Sequence, residues 1–272
     1  MAQNVQIQSH KEARRKLSGF DRIPHGVWLT ISIVAAIALW TLLSVLPQTA
    51  RCFPNIIETF KQLPVMISRG VLWSDIASSM ISVLCGFGIG FVLALPIAIL
   101  MAWYKPVRYI IEPWIQFIRN IPPLAYVPLV VIAAGVGRKP QIIVITLATF
   151  LTMCITIYQG VINIDETLIK AARVLGASDK DIFLRVIAPA SLPFILTAVR
   201  LGASVALTTI IAAESTGATA GLGMRIRSLN NSFETKPMLL YIIIIGIIGI
   251  TIEKLIKFLE KKLTGWQEKR EI

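Results

Sequence analysis

Charge is scarce in this chain. Only 15% of its 272 residues are Asp, Glu, Lys or Arg, where a soluble domain carries about 25%. Acid is the scarcer sign: 15 Asp and Glu stand against 27 Lys and Arg, a net charge of +12. Histidine is nearly missing. His10 and His25 both precede the first long apolar run, which leaves no Ser–His–Asp set and no histidine-bound metal further along. The three cysteines, Cys52, Cys85 and Cys154, form no C-x-x-C pair. Neither a zinc site nor a disulfide framework is indicated, and they read as small apolar side chains. No G-x-x-x-x-G-K-[ST] run occurs, so the chain has no P-loop cradle for ATP. "GVGRKP" (Gly135–Pro140) has glycines and a lysine at the wrong spacing and reads as a loop. No basic arm interleaved with aromatics is present, which removes nucleic acid as a partner.

What the chain has in excess is apolar surface: 55% of its residues and a mean hydropathy of +0.72. Six apolar runs stand out, at Val27–Leu46, Ser79–Trp103, Ile121–Val136, Gln141–Val161, Pro193–Ala213 and Leu239–Phe258. About 20 apolar residues cross a bilayer core of about 30 Å, so the expected fold class is an all-α, multi-pass membrane protein with six transmembrane helices. The first run is too long for a signal-peptide core and is read as an uncleaved span. "GFGIG" (Gly86–Gly90) in the second run favours close helix approach in lipid. The third run, with Pro122, Pro123 and Pro128, has two open readings: an irregular pathway wall, or a helix that starts at its prolines. The expected organisation is a basic cytoplasmic segment 1–26, a six-span transmembrane core 27–258 and a cytoplasmic tail 259–272. Six crossings put both ends on one side, and 19 of the 27 Lys and Arg fall on that side. By the positive-inside rule it is the cytoplasmic one.

Between the fourth and fifth runs lies a charged stretch, 163–193, that does not belong in lipid. Asn163 to Glu166 reads as a helix start with acids at the positive end of the dipole. Gly176 reads as a left-handed stop. Ser178 and Asp181 have capping-box spacing for a second helix. That helix puts Ile182, Phe183, Val186 and Ile187 on one apolar face, with Asp179, Lys180 and Arg185 opposite, and Pro189 is read as its end. The apolar face needs cover, either the membrane interface or a groove on a soluble partner.

"KAARVLGASDKDIFLRVIAPASLPFIL" (Lys170–Leu196) resembles the EAA loop of permease subunits of bacterial ABC importers, matching at Ala171, Ala172, Gly176, Ile187 and Pro189. "NIPPLAYVPLVVIAAGVG" upstream and "TAVRLGASVALTTIIAAE" and "ATAGLG" downstream are similar to the nitrate, taurine and alkanesulfonate branch, from about Phe53 to Trp266. The family glutamate of E-A-A is Lys170 here, so any contact it makes cannot be carried over. The resemblance implies the type I importer permease fold. It also implies a coupling helix built from Ala171, Ala172, Gly176, Ala177, Asp179, Ile182, Phe183, Val186, Ile187 and Pro189, seated in a cytoplasmic ATPase. Two such ATPase subunits, a second copy of the chain and an extracytoplasmic binding protein are the implied partners, with the lipid bilayer of the inner membrane around them. ATP and Mg would be bound by the ATPase, and this chain would hold no cofactor and catalyse nothing. Taurine or an alkanesulfonate is the leading cargo; nitrate, bicarbonate or a vitamin precursor is the alternative. A secondary transporter is the rival class, although such proteins carry intramembrane carboxylates.

Pro122, Pro123, Thr149, Thr152, Thr208 and Glu214 are the candidates for lining a translocation pathway. The threonines have a plainer use, bonding back to their own helix. Arg200, inside the fifth run, reads as structural. Arg225, Arg227 and Lys236, against Glu234, read either as a positive vestibule for an anion or as a solvated charge run.

Overall fold

The computed structural model describes residues 24–263. The expected basic segment lies outside the described residues up to position 23, as does the tail from 264 onward. Every regular element among the described residues is helical. Residues up to Lys61 and residues from Gln62 form two units, taken separately here.

In the first unit, α1 (His25–Val45) is 21 residues long, or about 32 Å at 1.5 Å per residue. That matches a bilayer core. Its apolar side chains are exposed all round the helix, as expected where lipid is the solvent. Thr30 and Thr41 donate to the carbonyls of Gly26 and Ile37 at 2.9 and 2.7 Å, which hides their hydroxyls from hydrocarbon. Helix α2 (Ile56–Phe60) is capped by the Asn55 side chain. The Trp40 indole donates to the Pro54 carbonyl at 3.0 Å.

The second unit contains α3 (Gln62–Ser68), α4 (Val71–Trp103), α5 (Lys105–Arg119), α6 (Pro123–Ala134), α7 (Arg138–Ile162), α8 (Glu166–Val174), α9 (Ala188–Glu214), α10 (Leu222–Asn231) and α11 (Thr235–Leu263). Helix α7 is its centre, packed between α4 and α9, with Val144, Ile145, Met153, Cys154, Ile157 and Tyr158 fully enclosed. The close approach of α4 to α7 uses two of the three glycines in "GFGIG". A Cβ on Gly86 would strike Ile145 and one on Gly90 would strike Thr149, whereas Gly88 faces open space. Gly86 and Gly90 are one helical turn apart and share a face.

The third run is bent, and the helix end read at Pro189 needs correction. The third is not one straight crossing. Helices α5 and α6 meet at a 102° bend. Helix α6 starts at Pro123, with Pro122 as its cap, so the reading of a helix that begins at the prolines holds. At 12 residues it reaches about 18 Å. Among the described residues five helices are therefore long and apolar enough to cross a membrane, or six if the bent pair is one crossing. Nor does Pro189 end a helix. A six-residue π-helical segment, Ile182–Ile187, runs into α9 without a break. Pro189 lies just past this segment, inside a continuous helix, where its missing N–H removes one bond from the ladder.

Candidate functional site

The charged stretch 163–187 folds on itself. Asp165, rather than Asn163, is the N-cap of α8, accepting from the Thr167 amide at 2.8 Å, and hydrogen bonding from the Thr167 side chain and then its amide holds the Asp165 carboxyl below the usual range. Glu166 and Lys170 pair at 2.8 Å along α8. Their hydrogen bond lowers the Glu166 carboxyl and raises the Lys170 ammonium. The lysine in place of the family glutamate thus finds its partner one turn earlier. Helix α8 stops at Gly176, φ +81°. The Gly176 amide donates to Arg173 O at 2.9 Å and the Ala177 amide to Ala172 O at 3.0 Å, the two bonds of a Schellman stop. Ser178 then caps the next turn, accepting from the Asp181 amide at 3.2 Å and donating to its carboxylate at 2.5 Å.

The face expected to await a partner is turned inward. Ile182 and Ile187 are buried with Ile164, and Ala172, Ala177 and Phe183 pack around them. The Phe183 ring meets Trp103 at the end of α4 edge-on, centroids 5.6 Å apart. Val186 is half-buried, while Ala171, Asp179 and Pro189 are exposed. What the unit presents is its tip: Val174 is 87% and Leu175 86% exposed. Around the tip the charges are paired internally, Arg173 with Asp179 and Arg185 with Asp181, besides Glu166 with Lys170.

At the other end of α9 is a cluster that the sequence reading did not assemble. Glu214 is 1% exposed. Its Oε1 accepts from the Ser79 hydroxyl at 2.6 Å and its Oε2 from the Gly223 amide at 2.8 Å. Ser79 accepts in turn from the Leu222 amide at 2.9 Å. Asp75, fully buried, takes the Gly221 amide at 3.1 Å, Arg225 Nε at 2.9 Å and the Tyr241 hydroxyl at 2.7 Å. Two carboxylates therefore hold the N-terminus of α10, where the helix dipole is positive. The Asp75 hydrogen bond raises the Arg225 guanidinium still higher. Asp75, Ser79 and Ser82 are spaced as one face of a helix, but the apolar run starting at Ser79 cut that face off. Helix α4 in fact begins at Val71, eight residues earlier.

These contacts correct two expectations. Arg225 is spent on Asp75, whereas Arg227 donates to the Ser215 carbonyl at 2.6 Å and stays exposed and charged, so Arg225 is withdrawn from the expected cationic vestibule and Arg227 is not. Glu214 does not face an open path, and neither does Thr149, which is buried between α4 and α7 and bonded back to Ile145 O at 2.7 Å. Thr152 bonds back to Ala148 O at 3.0 Å. Thr208 does reach an open groove of about 330 Å³ between α9 and α11. Arg200, Ser204 and Thr208, four residues apart, line one wall, and Gly246 and Gly249 line the other. Arg200 lies 3.5 Å from Glu260 of α11. Among the described residues no group of His, Cys, Asp and Glu is placed to hold a metal ion.

The family model described as "binding-protein-dependent transport system inner membrane component" matches residues 90–265. A probable ABC transporter permease of Brucella abortus is 42% identical over 239 residues, 88% of this chain and 95% of that one. The taurine transport system permease of Escherichia coli is 36% identical over 195 residues, 72% of this chain and 71% of that one. Among solved structures, a methionine ABC transporter in an inward-facing conformation superposes with a TM-score of 0.60 at 19% identity, over 71% of this chain and 96% of that one.

Proposed function

This chain belongs to the family of binding-protein-dependent transport system inner membrane components, the non-catalytic permease subunits of ABC importers, and we propose that it carries a small anion of the taurine or alkanesulfonate class. Family membership sets the secondary-transporter rival aside. The 36% identity to a taurine permease over 72% of the chain supports the cargo. In the same reading, ATP and Mg reside on two cytoplasmic ATPase subunits, and an extracytoplasmic binding protein delivers the solute. The loop 163–187 and both ends of the chain then lie in the cytoplasm, in keeping with the distribution of Lys and Arg.

One observation carries the coupling role: the bare apolar tip at Val174 and Leu175, held on a unit in which Glu166, Lys170, Arg173, Asp179, Asp181 and Arg185 are already paired. Two large aliphatic side chains this exposed at a helix end, outside the spans, are the form an anchor takes before it enters a partner's pocket. The second copy is supported by the stripe Arg200, Ser204 and Thr208. Ser204 and Thr208 bond back to the carbonyls of Arg200 and Ser204, so the stripe's cost within a span lies in the Arg200–Glu260 pair, which cover by a second chain or a water-filled path would relieve.

The test is purification of the tagged chain in mild detergent, identification of the ATPase that accompanies it, and reconstitution with the binding protein. ATP-driven uptake of labelled taurine, lost when Leu175→Asp abolishes ATPase retention, is the expected result. Uptake of nitrate in preference to taurine would reassign the cargo. Retention of the ATPase by Leu175→Asp would reject the docking tip.

A further inference from the structure

Helix α5 (Lys105–Arg119) divides its circumference three ways. Val107, Ile111, Ile115 and Ile118, spaced by threes and fours, pack on the core of α4 and α7. Lys105, Arg108, Glu112, Gln116 and Arg119 form a polar stripe with the same spacing, three basic residues against one acid. On the third side runs a bare apolar edge: Ile110 is 68%, Trp114 64% and Phe117 64% exposed. The helix is fixed in place. Arg108 pairs with Glu112 at 2.9 Å, and its guanidinium carbon lies 5.4 Å from the ring centroid of buried Tyr158 in α7. Its level in the molecule is fixed too. It starts two residues after Trp103, which meets Phe183 of the charged loop, and Tyr158 lies five residues before that loop. The 102° corner with α6 lets α6 enter the bilayer while α5 stays at the surface.

We propose that α5 lies in the plane of the membrane's cytoplasmic surface, with Ile110, Trp114 and Phe117 sunk among the acyl chains and Lys105 and Arg119 holding anionic lipid headgroups. A basic stripe beside an edge of Trp, Phe and Ile is the make-up of an interfacial helix. Four of the chain's eleven Trp and Tyr residues fall within positions 103–114, and Trp and Tyr gather where a bilayer meets water. The two cations stand at opposite ends of the helix, about 21 Å apart. Both are exposed, and neither has a carboxylate partner among the described residues. Anionic headgroups supply the missing charge. A second copy does not. In a membrane a two-fold axis runs along the bilayer normal, so two in-plane helices that meet along this edge run antiparallel. Lys105 of one then faces Arg119 of the other, and like charges repel. The choice of the cytoplasmic leaflet rests on the orientation proposed above; the lipid contact does not.

The experiment uses the full chain reconstituted in phosphatidylcholine vesicles, with increasing amounts of a lipid brominated near the headgroup end of its acyl chains. The brominated lipid is either phosphatidylglycerol or phosphatidylcholine. Bromine quenches a tryptophan that it touches. The signal of Trp114 is the difference between the unaltered chain and Trp114→Phe, a variant that keeps the apolar edge. At low salt, brominated phosphatidylglycerol is expected to reach half-maximal quenching of Trp114 at an about tenfold lower mole fraction than brominated phosphatidylcholine. The preference is expected to vanish in about 1 M salt and in the double variant Lys105→Gln/Arg119→Gln. Maximal quenching by brominated phosphatidylcholine is expected to be unchanged in that variant, which shows the edge still in the bilayer. Quenching of Trp114 by neither lipid overturns the proposal and places the edge against protein. Equal quenching by the two lipids in the unaltered chain overturns the headgroup contact, as does a preference that survives Lys105→Gln/Arg119→Gln. No ATPase, binding protein or cargo enters the measurement, so its outcome is independent of the transport reading.

Discussion

Ser79 and Glu214 are 135 positions apart in the chain, and the serine hydroxyl donates to the glutamate carboxylate at 2.6 Å with both side chains buried. With the Gly223 amide on the other oxygen, that contact ties the start of α4, the end of α9 and the start of α10 together. Gly221 admits the carboxylate, since a Cβ there would collide with it.

Glu214→Ala leaves the Ser79 hydroxyl and the Gly223 amide without their acceptor. Each orphaned buried donor costs roughly 1–3 kcal/mol, so a loss of about 3 kcal/mol is expected in thermal unfolding of the detergent-solubilised protein. Glu214→Gln keeps one acceptor oxygen and should lose about half as much. Equal stability of the two variants would contradict the assignment.

Arg225→Met leaves the Asp75 carboxylate buried with only the Gly221 amide and the Tyr241 hydroxyl. Removing one partner of such a pair costs roughly 3–5 kcal/mol where both are buried; Arg225 is partly exposed, so the low end applies. Combining it with Asp75→Asn removes the stranded charge. The double variant is expected to be more stable than Arg225→Met alone, and a double-mutant cycle measures the coupling.

Gly176→Pro is incompatible with φ +81°, because the proline ring holds φ near −65°. The position is exposed and outside the spans, so membrane insertion is expected to be unaffected. ATP hydrolysis should continue without uptake, because α8 can no longer present Val174 and Leu175 at the same angle. Normal uptake by this variant, set against its ATPase rate, would count against the loop's mechanical role.

Gly160→Ala and Gly88→Ala form a matched pair. A Cβ at Gly160 would run into the Phe194 ring of α9, while one at Gly88 meets nothing within 4 Å. Overpacking costs roughly 1–3 kcal/mol, so Gly160→Ala should lower the Tm while Gly88→Ala leaves it unchanged or higher.

Much of the architecture is legible locally. The stops and starts at Gly176 and Ser178 depend on residues within three or four positions of one another, and both form as read. Val27–Leu46 announces a span because about 20 consecutive apolar residues match the bilayer core, which needs no distant residue to be read. The long core helices were found from the same apolar runs, although α4 begins eight residues before Ser79 because its polar first turns are buried by α10 and α11 rather than by lipid. Hydropathy cannot see that kind of burial.

What sequence alone determined was the solvent of each segment, the order of the helices and the position of a polar loop between two spans, since these follow from composition and short-range hydrogen bonding. Tertiary structure alone decided which face of that loop is free, turning Ile182 and Ile187 inward and leaving Val174 and Leu175 outside. It also decided that Asp75, Glu214 and Arg225 meet as one locked cluster instead of lining a path. A side chain's burial and its charge partner are set by residues more than a hundred positions away, and no local pattern carries that information.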